Sequence, residues 1–232
     1  MRRQGKKYVE ASTKVEQNQV YPIDEAINLV KETSITKFDS TIEVAIRTNV
    51  DTKKNDHNLR GALVLPNGTG KTKVILVLAK GKAAEEALAA KADFVGDKDL
   101  IEKIEKENWF KYDVIVATPE MMPLLGKIGK ILGPKGLMPN PKVGTVTANP
   151  AKVVADIKKG MVEYKTDSFG NIHSLIGKAS FAEKDLKENL IFLVNSIGKT
   201  KPISLKGNLI RNITISSTMG PGIKVDLNSF DI

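Results

Sequence analysis

Val74-Ile-Leu-Val-Leu-Ala79 is six apolar residues without a break. A strand with one wet face alternates apolar and polar side chains. A strand that reads like this one is buried on both faces, as in a parallel sheet covered by helices. The flanking sequence agrees. Lys82 to Ala90 is an alanine-rich helical pattern, Ala92-Asp-Phe-Val95 a second strand, Leu100 to Glu107 a second helix and Asp113-Val-Ile-Val-Ala117 a third strand. Met121 to Leu132 and Ala151 to Lys158 continue as helices, the latter after Asn149-Pro150. Strand and helix in turn predict right-handed βαβ units and a Rossmann-like parallel sheet.

On either side the style changes. Thr41-Ile-Glu-Val-Ala-Ile-Arg-Thr48 puts Ile42, Val44 and Ile46 on one face and Glu43, Ala45 and Arg47 on the other. That is a half-buried antiparallel strand. Before it, Ile23, Ala26, Ile27 and Val30 fall at helical spacing after Pro22, and this helix ends near Thr33. Gly61 to Leu65 reads as a short strand. Beyond Gly160, Met161 to Lys165 and Asn171 to Ile176 read as a hairpin across Asp167-Ser168-Phe169-Gly170. Phe181 to Ile197 reads as one long helix and Leu209 to Ser217 as a last strand. The sequence therefore predicts an α+β domain, an antiparallel sheet with helices, built from both chain ends (residues 1–66 and 160–232). An α/β Rossmann-like domain with a parallel sheet is inserted over 67–159. Two crossings, near Pro66 and Gly160, would form a hinge.

The 232 residues are 41% apolar and 27% charged, enough to build a core with no protein partner required for folding. Net charge is +9, which favours an anionic partner. There is no cysteine, so disulfides and thiolate metal sites are excluded. Two histidines, His57 and His173, are too few for a histidine-rich metal site. Neither a metal nor another cofactor is expected. The basic start, Met1 to Tyr8, is not followed by an apolar run, and no run is long enough to span a bilayer. No membrane is involved on this reading, and a cytoplasmic protein is the expectation. Residues 1–20 read either as a loose tail or as an arm on phosphates, with Arg2, Arg3, Lys6 and Lys7 as contacts.

Gly126 to Thr147 stands apart. Gly126, Gly129, Gly133, Gly136 and Gly144 with Pro134, Pro139 and Pro141 forbid regular structure across its centre. Lys127, Lys130, Lys135 and Lys142 are its charges, and no acid occurs from Met121 to Ala155. Exposed amides and lysines together suit a polyanion. A rigid connector with solvated lysines is the other reading.

Enzyme motifs fare poorly. Asn67-Gly-Thr-Gly-Lys-Thr72 has Leu65 where a phosphate-binding loop needs its first glycine, and a strand follows where a helix should open. A phosphotransferase using Gly70-Lys71-Thr72 is thus the weaker alternative to a non-enzyme. No dinucleotide fingerprint follows Val74 to Ala79. The glutamates Glu102, Glu105 and Glu107 alternate with lysines as on a solvated helix face. By residue type alone Phe38 reads as a core cap, His173 as a structural histidine and Ser216 to Gly222 as an ordinary turn.

One resemblance changes those last readings. Gly126 to Thr147 closely resembles the signature loop of the bacterial large-subunit ribosomal protein "L one" family. Tyr21 to Ala26, Lys37-Phe-Asp39, Gly170-Asn-Ile-His173, Ile176 to Phe181 and Ser217-Thr-Met-Gly-Pro221 follow in the family's order and spacing. The resemblance implies a two-domain protein of the mobile stalk that binds large-subunit ribosomal RNA chiefly through the end-built domain. It implies a ribosome-bound, cytoplasmic location and partnership with exit-site tRNA, whose deacylated form the family helps to release. It also implies repression of translation through the protein's own mRNA; a repressor acting off the ribosome is a further reading. Carried onto this sequence, the ribosomal RNA contacts are Lys37, Phe38, Thr41, Ser217, Thr218, Met219 and Gly220, with Lys165, Thr166 and His173 nearby. The four loop lysines and the basic arm become a secondary surface.

Overall fold

The computed structural model describes residues 5–16, 19–54 and 57–230. The chain divides into two compact units, Met1–Gly70 with Val162–Ile232, and Lys71–Met161.

The first unit contains α1 (Lys6–Thr13), β1 (Val20–Tyr21), α2 (Ile23–Glu32), β2 (Thr41–Thr48) and β3 (Arg60–Val64). The second holds β4 (Ile75–Leu78), α3 (Lys82–Ala89), β5 (Phe94–Gly96), α4 (Lys98–Glu107), β6 (Val114–Ala117), α5 (Met122–Lys127), α6 (Gly129–Leu132) and α7 (Pro150–Lys159). The chain returns to the first unit through β7 (Met161–Lys165), β8 (Asn171–Lys178), α8 (Glu183–Lys199), β9 (Ile210–Ser217) and β10 (Ile223–Val225).

In the first unit five strands lie in the order β1-β10-β9-β2-β8. All pairs are antiparallel except β1 with β10. Ile42, Val44 and Ile46 are buried, with α2 and α8 packed on their face. Leu186, Leu190, Leu193, Val194 and Ile197 of α8 recur at helical spacing and are all fully buried. Each such side chain contributes roughly 1.5–3 kcal/mol relative to exposure. The opposite face carries Glu43, Ala45, Arg47, Asn212, Thr214, Ser216 and His173, none of them buried. It is an open sheet face.

One expected pairing differs. β7 and β8 meet beside their turn, through the Thr166–Ile172 bridge and the Asp167 N–H donating to Asn171 O at 2.8 Å. They do not extend into a regular hairpin: β7 pairs with β3 in a separate two-stranded sheet. The turn is also held by its side chain: the Asp167 carboxylate accepts from Phe169 N, Asn171 N and Asn171 Nδ2 at 2.7–3.0 Å.

In the second unit β4 lies between β5 and β6, all parallel, as its unbroken apolar run predicts. Ile75 and Val77 pack with Ala87 of α3 and Val154 and Ile157 of α7. Leu76 and Leu78 pack with Ile101 and Ile104 of α4 and with Leu125, Ile128 and Leu132. The phosphate-loop alternative fails on geometry, because a strand follows Lys71-Thr72 and no helix opens there. The Asn67 N–H donates to Asn189 Oδ1 at 3.0 Å, and Gly68 O accepts from Asn189 Nδ2 at 3.1 Å. Those backbone groups hold the crossover to α8 and are not turned to a ligand.

Candidate nucleic-acid interface

The strands β2 and β9 are neighbours, and the start of one meets the end of the other. Thr218 continues their pairing past the last strand residue. Its N–H donates to Thr41 O at 3.0 Å, its Oγ1 accepts from Thr41 N at 3.1 Å, and Oγ1 also lies 3.2 Å from Thr41 O. Two loops therefore leave the sheet side by side: Lys37–Asp39 before Thr41, and Met219–Gly220 after Thr218.

Each loop is held by its own bonds. Asp39 accepts from Ser180 N at 3.1 Å and from Ser180 Oγ at 2.8 Å. Lys178 donates to Thr41 Oγ1 at 2.9 Å and reaches Asp39 O at 3.4 Å. Thr36 Oγ1 donates to Phe38 O. With its backbone fixed this way, Phe38 is 63% exposed and no core cap. Met219 is 72% exposed and has φ +67°, a left-handed conformation that a bulky residue adopts only at a cost of roughly 1–2 kcal/mol. Gly220 leaves no room for a side chain: a Cβ there would stand 2.2 Å from Ser217 Oγ and 3.3 Å from Thr33 O. This end of the sheet is bare backbone, small hydroxyls, one aromatic and one strained methionine.

The other expected contacts are distributed differently. Ser217 is buried, opposite Ile42 and beneath Gly220, with an unpartnered Oγ; it supports the loop from below. Lys37 is exposed beside Phe38. Lys165 is exposed on β7, whereas Thr166 is buried and exchanges hydrogen bonds with Leu59 N and O. His173 is exposed on the open face opposite Ala45, four residues along β2 from Thr41, or about 13 Å at the usual rise. Its Nε2 lies 3.5 Å from Asp167 Oδ2. Burial pushes the Asp167 carboxyl up, but the hydrogen bonds from Asn171, Phe169 and His173 outweigh it and hold it down at about 2. Asp39 and Lys178, which position the first loop, lie in the Lys37–Asp39 and Ile176–Phe181 blocks of the resemblance, but are not among the contacts it carries onto this sequence.

Of the secondary basic surface, Arg2 and Arg3 lie outside the described residues. Lys6 and Lys7 open α1, exposed. Lys127 and Lys130 are exposed on α5 and α6. Lys135 Nζ sits 4.0 Å over the Phe110 ring, a cation–π contact within the second unit. The Lys142 N–H donates to Asn140 Oδ1 in a short 3-10 turn. Much of the loop is spent on its own packing: Ile128, Leu132, Val143 and Thr145 are buried, and Thr145 Oγ1 bonds both Asn140 N and O. Among the described residues, no cluster of three or more histidines and acids is placed to hold a metal, and no helix is long and apolar enough to cross a membrane.

The model of the Ribosomal protein L1p/L10e family matches residues 30–221, a span that contains both loops and the whole second unit. The chain belongs to this ribosomal protein family. Relatives named large ribosomal subunit protein uL1 align along nearly its full length. That of Mycoplasma capricolum is 58% identical over 96% of this chain and 98% of its own. That of Mesoplasma florum is 60% identical over 92% and 94%, and that of Phytoplasma australiense 57% over 97% of each. The L1p/L10e family is one of structural ribosomal proteins and not of enzymes, so the phosphotransferase reading is set aside.

Proposed function

We propose that this chain is a structural component of the large ribosomal subunit, ribosome-bound in the cytoplasm, that binds large-subunit ribosomal RNA through the Phe38–Met219 end of the first unit. The observation that carries the site is Met219. Left-handed backbone at an exposed methionine is a cost the fold carries, and such strained residues cluster where ligands bind. RNA fits the surroundings, because folded RNA is recognised through shape, ribose hydroxyls and bases stacked on aromatics. Thr41, Thr218 and the bare Gly220 backbone supply the close polar surface, and Phe38 the aromatic. The basic arm and the loop lysines add a salt-dependent phosphate term.

The resemblance supports two finer roles. In the ribosome the chain would help release deacylated tRNA from the exit site, and off it the same patch would bind its own mRNA and repress translation. One RNA-binding patch serves both RNAs if they share a fold. Co-sedimentation with large subunits in graded salt tests the main reading. Binding at physiological salt that declines with added salt is expected, and absence from the subunit fraction at physiological salt would contradict it. Competition between the mRNA leader and ribosomal RNA tests the repressor role, and independent binding of the two would contradict it.

A further inference from the structure

Phe169 is the most exposed aromatic among the described residues, at 75%. It lies at the other end of the open face from Met219. Its turn is rigid: Asp167 accepts from Phe169 N, Asn171 N and Asn171 Nδ2, and Thr52 Oγ1 donates to Ser168 O at 2.9 Å. Thr48 N donates to Gly170 O at 3.0 Å, fixing the turn to the end of β2. Through Asn171 the same network reaches Arg47, whose Nη1 donates to Asn171 Oδ1 at 3.4 Å. In register, Asn212, Arg47 and Asn171 stand abreast across β9, β2 and β8.

We propose that Phe169, with Arg47 tied to its turn through Asn171, forms a second RNA contact that stacks one unpaired base. The proposal rests on the RNA reading above. An aromatic on a pre-ordered turn offers a stacking face at little entropic cost. Asn212, on the other side of Arg47 from Asn171, can reach a base edge or a ribose hydroxyl. Charge points the same way. Arg47 and Arg211 bond neutral amides of Asn171 and Asn49, and among the described residues no carboxylate forms an ion pair with either. Lys53, Lys54 and Lys165 are exposed at this end too. A protein partner would want a contiguous apolar patch, but Phe169 stands between Ser168 and Gly170 with amides and cations around it. Strand β2 spans eight residues, so the two contacts lie about 25 Å apart, the reach of a folded junction and not of a single nucleotide.

The test titrates the full chain with a transcript of the whole large-subunit ribosomal RNA. Phe169→Ala should weaken binding about 5- to 100-fold, with unchanged melting and an unchanged slope of affinity against salt. Phe169→Trp should restore binding, and Arg47→Gln should reduce the salt slope by about one. Phe169→Ala within twofold of the parent would overturn the proposal, as would Phe169→Leu binding as tightly as the parent. Thr218→Val is run in parallel. Normal binding by it, with Phe169→Ala weakened, would refute the Phe38–Met219 site alone; a parent that does not bind the transcript would refute both.

Discussion

The Gly126–Thr147 loop and the Phe38–Met219 end invert their first impressions. The loop has the charges of a phosphate binder, yet it spends Lys135 on Phe110, Asn140 on Thr145 and Lys142, and four other residues on its own core. The sheet end has one exposed lysine between its two loops, yet its aromatic, its methionine and its backbone are all turned outward. Charge density marks where a polyanion could rest. Unspent apolar surface and unspent conformational strain mark where the fold has been arranged for a partner.

Glycine separates the two regions most sharply. Gly220→Ala should destabilise the protein by about 2–3 kcal/mol in urea unfolding, because the new Cβ meets Ser217 Oγ and the Thr33 carbonyl. An unfolding midpoint at the parental value would mean the turn relaxes and is not fixed. Met219→Gly should move stability and binding in opposite directions, gaining about 1 kcal/mol by relief of the left-handed backbone while weakening RNA binding. A variant equally good at both would remove the argument from strain. Gly126, within α5, has nothing within 4 Å of a built Cβ. Gly126→Ala should therefore stabilise by about 0.5 kcal/mol, leaving ribosomal RNA affinity intact; a loss of affinity would return the loop to the centre of the account. The effect at Asp167 depends on pH. Its folded carboxyl titrates below its unfolded value, so the stability it supplies is complete above pH about 4 and is lost as pH falls towards 2. Asp167→Asn should flatten acid unfolding in that window, and an unchanged acid limb would show that the turn needs no carboxylate.

The elements with a strong period were legible in the sequence. The Ile42–Val44–Ile46 alternation, the unbroken Ile75–Leu78 run and the α8 stripe each encode their environment locally. Short elements were not. The pairing of β1 with β10 joins residues two hundred positions apart over two registered pairs, with no local pattern to announce it. Helix α1 buries only Ala11, which is too little to distinguish it from a tail. At the site, apolar identity argued Phe38 inward, whereas Asp39, Ser180 and Lys178 together hold its loop outward, and no sequence period shows that network. Ser217 was readable: counting alternation from Ile213 and Ile215 turns it inward, beneath the residues that do face solvent. Met219 was legible only by resemblance, since left-handed backbone at a methionine has no sequence signature.

The measurement that bears most directly on the account is the affinity of two double variants for the large-subunit ribosomal RNA at one salt concentration. Thr218→Val with Met219→Ala should lose about 2–3 kcal/mol of binding through lost hydrogen bonds and shape fit. Lys135→Ala with Lys142→Ala should lose less than about 1 kcal/mol. The reverse order, or equal losses, would contradict the assignment of the RNA site to the Phe38–Met219 end.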